Sequence, residues 1–298
     1  MRSFTKGSVA AGLAICAVFI LSQTYGQVPA NPKPFLVFDA TLYANKPDLS
    51  TYGLQPITLA YAGSFGLDWY KYPDRLPELE AVQAVARDAQ QKGHRVVLDI
   101  EHWPLEGTPT LVQDSLAKYL RVLTWFRDAA PGLSLGYYGA PPLHDYWRAI
   151  EDGASPARRS WMTANDQTRS LAGAVDAFYP SLYTFYPDQA GWKKYAIAQI
   201  EEARRHGDGK PVYVFLWAQY HDSNKDLKGQ YLPEDFWLFE LKTAKQYADG
   251  IVIWGGWDVM TNRPAKWDEN AAWWKVTKEF MKSGDLKPPA APTSVTIR

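Results

Sequence analysis

Short apolar runs alternate with amphipathic stretches along most of the chain. Seven such runs, rich in β-branched and aromatic residues, lie at 35–39, 57–62, 96–101, 133–139, 177–183, 212–217 and 250–255. Continuous apolar runs of this length are typical of parallel strands that are buried on both faces. The pattern therefore predicts seven strands of a parallel sheet.

The segments between these runs carry helix signals. Apolar residues recur at three- and four-residue steps between 116 and 126, and a Pro-Gly pair at 131–132 ends that helix. Helices are also predicted at 78–92 and 233–248. Strands that alternate with helices over this length indicate a (β/α) barrel or a doubly wound sheet. Because no Gly-rich phosphate loop follows the first strand, we predict an α/β fold of the TIM-like barrel type with seven or eight parallel strands.

The start of the chain has the pattern of an export signal. Arg2 and Lys6 precede an apolar run at 9–21, and a possible cleavage point lies near Gly26. The run is too short for a comfortable membrane span, although retention as an anchor stays open. Cys16, the only cysteine, lies in this segment, so the mature chain is expected to have no disulfide. We expect a secreted or periplasmic protein with no stable membrane span after cleavage.

The predicted domain organisation has three parts. A signal peptide covers 1–26, a catalytic barrel covers 27–286, and an extended tail rich in Pro and Ala covers 287–298. A chain of 298 residues is long enough for one large domain of this kind.

Charge and aromatic content narrow the class of partner. The chain has 32 basic and 32 acidic residues with no basic block, which argues against nucleic acid. Its 13 tryptophans fit a large core, and part of them fit sugar binding, because an indole face stacks on the apolar face of a pyranose. The five histidines show no metal-ligand spacing. We therefore expect an oligo- or polysaccharide partner, with no metal and no cofactor.

The third apolar run ends in two acidic residues, Asp99 and Glu101. Side chains two positions apart in a strand point the same way, and functional side chains of a barrel lie at the carboxyl ends of its strands. Two carboxyl groups this close cannot both ionise freely, so one pKa should rise, as a general acid requires. We predict this pair as catalytic. The alternative is that Asp99 caps a loop and Glu101 pairs with a base such as Arg95.

Polar and aromatic side chains follow the other strand runs as well. They offer hydroxyl, amide, carboxyl and indole groups beside flat apolar surfaces, the mixture that a sugar ring requires. The predicted substrate-binding residues are Trp103, Tyr138, Tyr179, Tyr183, Trp217, Gln219, Trp254 and Asp258. Packing at the barrel mouth is the alternative for about half of the rings taken singly.

These segments resemble those of one enzyme family. The stretch from Asp99 to Pro104, an Asp-x-Glu followed by Trp, resembles the catalytic segment of the hyaluronidase glycoside hydrolases. Segments 136–141, 179–183 (Tyr-Pro-Ser-x-Tyr), 211–214 and 251–255 (with Ile-Trp-Gly) are similar to later segments of that family, in the same order.

The resemblance implies a distorted barrel and a substrate-assisted, retaining hydrolysis next to an N-acetylhexosamine. It implies that Glu101 is the acid and base, that Asp99 orients the acetamido group, that Tyr183 binds its oxygen, and that Trp254 walls its pocket. The animal family carries disulfides, which this mature chain lacks, and no long basic groove for a polyanion is visible. Another N-acetylhexosamine-containing glycan is therefore as good a substrate candidate as hyaluronan.

Two other functions stay open from the sequence. A glycosidase could use a second carboxylate, from Asp39, Asp222 or Asp258, on a sugar that has no acetamido group. A glycan-binding barrel without catalysis could keep the acid pair as a remnant. An N-acetyl thiazoline-type inhibitor separates the substrate-assisted hydrolase from the glycosidase with a second carboxylate. A search for products tests the non-catalytic barrel.

Overall fold

The computed structural model describes residues 34–66, 68–93, 95–258 and 260–283. The predicted signal peptide at 1–26 and the predicted tail at 287–298 lie outside these residues. Within the described ranges, no helix combines the length and the apolarity that a membrane crossing needs.

The strands lie close to the predicted apolar runs. They are β1 (Leu36–Thr41), β2 (Gln55–Pro56), β3 (Thr58–Tyr61), β4 (Arg95–Asp99), β5 (Ser134–Tyr137), β6 (Tyr213–Trp217), β7 (Gly250–Gly255), β8 (Trp257–Asp258) and β9 (Arg263–Pro264). β1 to β7 pair in parallel where they pair, and β8 with β9 forms a small antiparallel hairpin.

Helices fill most of the connections. They are α1 (Leu79–Lys92), α2 (Pro109–Ala129), α3 (Tyr146–Ile150), α4 (Pro156–Asp166), α5 (Arg169–Ala174), α6 (Gln189–Gly207), α7 (Glu234–Tyr247) and α8 (Ala272–Lys282). Short 3-10 helices lie at Leu49–Tyr52 and Ala62–Phe65. The three helices predicted from the sequence are confirmed as α1, α2 and α7. Thr108 caps α2 by accepting a hydrogen bond from the backbone N–H of Leu111, and Pro109 suits the first helical turn.

The parallel strands follow one another around a ring. One sheet has the order β2-β1-β7-β6 and the other β3-β4-β5. β2 and β3 are separated only by Ile57, and the segment 178–184 joins β5 to β6 through isolated bridges. The prediction of a distorted α/β barrel is therefore confirmed, with no continuous ladder closing it in the described part of the chain.

The fifth apolar run differs from its prediction as a regular strand. Phe178 and Ser181 form isolated bridges to Val212 and Phe215, and Tyr179 bridges Tyr138. Pro180 lies in the middle of this run and has no N–H to donate, which interrupts a ladder. The segment still runs parallel to its neighbours, so it occupies a strand position without a strand's regular pairing.

Two layers of apolar side chains hold the barrel together. The barrel interior holds buried rings and branched side chains, among them Phe38, Val97, Tyr213, Phe215 and Val252. A larger cluster fills the space between the strands and the helices. Full burial of a large apolar side chain contributes roughly 1.5–3 kcal/mol. This core fixes the strand ends, where the candidate site lies.

Candidate active site

A cavity of about 400 Å³ opens where the parallel strands end. Its lining is acidic and aromatic and consists of Leu59, Asp99, Glu101, Tyr138, Tyr183, Phe215, Trp217, His221, Asp222, Trp254, Trp257 and Asn262. The carboxyl ends of barrel strands are the usual place for a binding or active site. Six of the ten residues predicted from the sequence therefore meet around one space.

Asp99 and Glu101 face this cavity together. β4 ends at Asp99, so Glu101 lies in the loop that follows and is exposed, whereas Asp99 is partly buried. The two carboxyl groups lie within hydrogen-bonding reach of each other, an arrangement that one proton between them would stabilise. Burial, then the charge of Glu101 and the hydrogen bond to it, raise the pKa of Asp99 to about 7. The raised pKa expected for the pair therefore falls on its deeper member.

The main chain after β4 is held in place by a buried tyrosine of α2. The buried hydroxyl of Tyr119, on α2, donates to the carbonyl oxygens of Ile100 and Trp103, each at 3.1 Å. Burial, as the first cause, raises the pKa of the Tyr119 hydroxyl above its usual value. Tyr119 therefore stays a neutral donor and fixes the loop that carries Glu101.

Two tyrosine hydroxyls lie next to the acid pair. The hydroxyl of Tyr138 donates to Ser181 Oγ at 3.0 Å, and the hydroxyl of Tyr183 lies near that of Tyr138. Tyr183 is only 6% exposed. Burial, as the first cause, raises the pKa of Tyr183 well above that of a free phenol. Its hydroxyl thus keeps its proton and can donate it to a bound oxygen.

Indole rings form one wall of the cavity. Trp217 and Trp254 meet edge to face, with centroids 4.9 Å apart, and Tyr183 lies 5.7 Å from Trp254. The Nε1–H of Trp254 donates to Tyr61 Oη at 3.0 Å. This wall presents flat apolar faces directly beside the carboxyl pair, as a pyranose requires.

His221 and Asp222 also line the cavity, and the ring of His221 lies next to the aromatic wall. His221 Nδ1 lies 3.2 Å from Asp222 Oδ1, and its ring stacks on Tyr183 at 6.0 Å. Burial lowers the pKa of His221 below its usual value, ahead of the opposing effect of Asp222. At neutral pH the imidazole is therefore uncharged.

The cavity carries carboxyl groups without a matching cation. Asp99, Glu101 and Asp222 line it, and none of its lining residues in the described part of the chain is Lys or Arg. Lys46, near the end of β1, is held on Asp39 at 2.7 Å. A negatively charged sugar inside the cavity would meet repulsion, whereas an uncharged one would not.

Four of the predicted substrate-binding residues lie outside the cavity lining. Trp103 is 1% exposed and packs against Trp69 and Tyr119, and Tyr179 is fully buried against Tyr213 and Phe215. Gln219 accepts from Trp217 Nε1 at 2.9 Å and donates to the carbonyl of Gly229. Asp258 caps the turn at Met260. Tyr179 belongs to the same interior cluster as Tyr183, but it precedes Tyr183 by four residues and so lies below the mouth of the barrel. Trp103 lies in the loop beyond the end of β4 and is covered by neighbouring rings.

Other lining residues have no counterpart among the predicted site residues. Leu59 and Phe215 are apolar strand residues that no polar signal marks, and Trp257 with Asn262 comes from the β8–β9 hairpin. Tyr61, which orients Trp254, is the last residue of β3. The rule that strand ends carry the site would have found Tyr61, had it been applied to the second apolar run.

Two of the alternative carboxylates are engaged elsewhere. Asp39 accepts from Thr41 and Lys46, and Asp258 accepts from the backbone of Met260 and Thr261. Asp222 alone among the three lines the cavity. Within the described residues, no group of three or more His, Cys, Asp or Glu is placed to hold a metal ion.

Solved structures of glycoside hydrolases share this fold. Two structures of bee venom hyaluronidase, one in complex with a hyaluronic acid tetramer, match with TM-scores of 0.56 and 0.57 at 16% identity. Both matches cover 85% of this chain, and they cover 99% and 98% of the hyaluronidase chains. No protein-family model and no curated protein sequence matches the chain. At this identity the likeness shows a common fold, that of TIM-barrel glycoside hydrolases.

Proposed function

We propose that this chain is an exported glycoside hydrolase that cleaves the bond next to an N-acetylhexosamine, with the acetamido group of the substrate as nucleophile. The observation that carries the proposal is that the carboxyl groups of Asp99 and Glu101 lie next to each other in one aromatic cavity. One proton shared by two carboxyl groups near neutral pH is what acid catalysis by this mechanism needs.

In the first step Glu101, the exposed member of the pair, gives a proton to the leaving glycosidic oxygen. The acetamido oxygen of the substrate attacks the anomeric carbon as the glycosidic bond breaks, so the enzyme supplies no nucleophile. Asp99 accepts a hydrogen bond from the acetamido N–H and stabilises the positive charge that develops on the ring formed. In the second step Glu101 takes a proton from water, which attacks the same carbon as the bond from that carbon to the acetamido oxygen breaks. The acetamido group is restored and the original configuration is retained.

The remaining cavity residues fit an acetamido group. The Tyr183 hydroxyl, held neutral by burial, would donate to the acetamido oxygen, and Trp254 with Trp217 would enclose the methyl group. Because none of the lining residues that the structure describes is Lys or Arg, an uncharged N-acetylhexosamine is favoured over a uronic acid in this position. The full glycan can be hyaluronan or another polymer that contains this sugar.

The replacement Glu101→Gln tests the proposal. It keeps size and polarity but removes the transferable proton, so kcat should fall by about 10³ or more while binding survives. Digestion of a glycan panel, followed by mass spectrometry, compares the variant with the wild type. Asp258→Asn is the control, because Asp258 lies outside the cavity. Near-normal turnover by Glu101→Gln on every cleaved glycan would refute the role of Glu101.

Asp222 supports a second candidate function. It lines the same cavity as the pair, beside His221, and could act as a base or nucleophile on a sugar without an acetamido group. An N-acetyl thiazoline separates the two functions, since it mimics only the intermediate of the acetamido route. Tight inhibition favours the first function. No inhibition, together with loss of activity in Asp222→Asn, favours the second.

Export is part of the proposal and rests on the signal pattern at 1–26. Expression of the full chain in a bacterial host, followed by fractionation and N-terminal sequencing, tests it. A mature protein that begins near residue 27 outside the cytoplasm is expected. Recovery of an uncleaved chain in the membrane fraction would indicate an anchor instead.

A further inference from the structure

Three aromatic rings form an exposed surface beside the cavity and belong to no part of the proposed mechanism. Trp147 is 61% exposed and Tyr186 is 38% exposed, although both are large rings. Tyr146 packs edge to face on both, at 5.2 Å from each, and Trp147 lies 5.3 Å from Tyr186. We name Tyr146, Trp147 and Tyr186 the outer platform. Single exposed rings are ordinary on protein surfaces, whereas a contiguous aromatic patch marks an interaction site.

The outer platform lies at the same end of the barrel as the cavity. Tyr146 and Trp147 begin the short helix α3, which follows the end of β5, and Tyr186 follows the strand-like segment 178–184. Segments that follow parallel strands emerge at the carboxyl end of the barrel, where the cavity opens.

A continuous path of rings connects the outer platform to the cavity. Tyr186 contacts Phe185 at 6.4 Å, and Phe185 contacts His221 at 4.9 Å. His221 in turn lines the cavity and stacks on Tyr183. The platform is therefore an outward extension of the aromatic surface that a sugar in the cavity would contact.

Ionic contacts fix the outer platform in place. The guanidinium of Arg148 donates to both carboxylate oxygens of Glu106 at 2.7 Å and to Asp145 at 2.7 Å. Glu106 lies in the loop that follows Glu101, so α3 is tied to the loop that carries the acid pair. A bidentate pair of this kind restricts orientation. Rings that are already ordered lose little entropy when a ligand binds.

We infer that the outer platform is a remote sugar-binding subsite, which stacks the apolar face of a pyranose in the same glycan chain whose other residue occupies the cavity. This inference rests on the proposed function and adds that the enzyme acts on chains rather than on single terminal sugars. Arg148 is paired with two carboxylates, those of Glu106 and Asp145, so it offers no unpaired positive charge to a ligand and the platform recognises ring faces. Continuity with the cavity identifies the occupant as glycan and not as a second protein copy.

Binding to oligosaccharides of two lengths tests the subsite. The probes are β-1,4-linked N-acetylglucosamine dimer and hexamer, and hyaluronan tetramer and octamer, measured by calorimetry on Glu101→Gln so that cleavage does not interfere. For at least one series, the longer probe should bind at least about tenfold more tightly than the shorter one. Adding Trp147→Ala should reduce this length-dependent ratio about tenfold, and Trp147→Phe should restore part of it.

The matched control is Tyr52→Ala on the same background. Tyr52 is 36% exposed and packs edge to face on Trp274, but it precedes the start of β2 and lies away from the cavity. It should leave the ratio unchanged. Two binding results would overturn the subsite: a ratio that survives Trp147→Ala, or no length-dependent gain in either series. A dimer of the parent protein in sedimentation that Trp147→Ala abolishes would also overturn it, because the platform would then bind a second protein copy. Failure of the proposed function is seen separately, as a wild-type enzyme that yields no product from any glycan.

Discussion

The Nε1–H of Trp254 donates a hydrogen bond of 3.0 Å to the hydroxyl oxygen of Tyr61. Trp254 lies in β7 and Tyr61 ends β3. These two strands are not paired, because β7 belongs to the sheet β2-β1-β7-β6 and β3 to the sheet β3-β4-β5. An indole has one donor, so this bond decides which face of Trp254 turns toward the cavity. The aromatic wall therefore depends on a residue of the opposite sheet.

Tyr61→Phe should weaken substrate binding. The variant keeps the ring but leaves the Trp254 N–H without its acceptor, so the indole is free to turn. A hydrogen bond of this kind is worth about 0.5–1.5 kcal/mol, which corresponds to a rise in KM of roughly two- to tenfold with a smaller change in kcat. Steady-state kinetics measure both. Tyr247→Phe, at the end of α7, is the control, and an unchanged KM in Tyr61→Phe would remove Tyr61 from the site.

Tyr183→Phe should lower kcat, whereas Tyr179→Phe should not. The Tyr183 hydroxyl faces the cavity, and loss of one donor to a developing charge costs about 10²–10³ in kcat. The Tyr179 hydroxyl is buried without a hydrogen-bond partner among the residues that the structure describes, so its removal should leave kcat unchanged and should not lower the melting temperature. Kinetics and thermal unfolding of the two variants give the comparison. Equal losses of kcat would show that the cavity does not separate these two tyrosines.

The sequence predicts most of the fold because apolar runs and strand ends obey simple rules. β7 lies where the last run predicts it, and Asp99 closes β4 at the carboxyl end of the barrel. The irregular pairing of the fifth run was not predictable from its apolar content, because Pro180 interrupts the pairing without changing the burial of its neighbours.

The candidate site was predictable to the extent that side chains follow the alternation of a strand. Tyr183 and Trp254 line the cavity, whereas Tyr179 belongs to the same segment and faces the core. A polar residue near a strand end is therefore not enough, because residues on one face lie either at the mouth of the barrel, as Tyr183 does, or below it, as Tyr179 does. Asn262 comes from a hairpin whose position no apolar pattern indicates. The sequence could not tell which of the two acids would have the raised pKa, because that depends on burial. Asp99 is partly buried as the last residue of β4, whereas Glu101 is exposed in the loop that follows.

Activity should decrease as the pH rises through about 7. The proposed mechanism needs one proton on the pair, and the pKa of Asp99 is raised to about 7 by burial and by Glu101. Above this pH the shared proton is lost, so Glu101 has no proton to give to the leaving oxygen. The logarithm of kcat/KM plotted against pH should fall with a slope near −1 on the alkaline side. A profile that stays flat to pH 9 would contradict a shared proton.

Asp99→Asn should change the pH dependence of stability. The folded pKa of Asp99, about 7, lies above the value of about 3.9 expected for the unfolded chain, so the folded state binds the proton more tightly. Stability from this group is therefore fully present below about pH 4 and is lost as the pH rises through 7. The asparagine variant cannot ionise and should lose less stability between pH 5 and pH 8, by a Tm difference of about 3 °C or more. Asp222→Asn, whose parent side chain is 55% exposed, is the matched control, and equal pH dependence in wild type and Asp99→Asn would mean that the buried carboxyl group carries no such penalty.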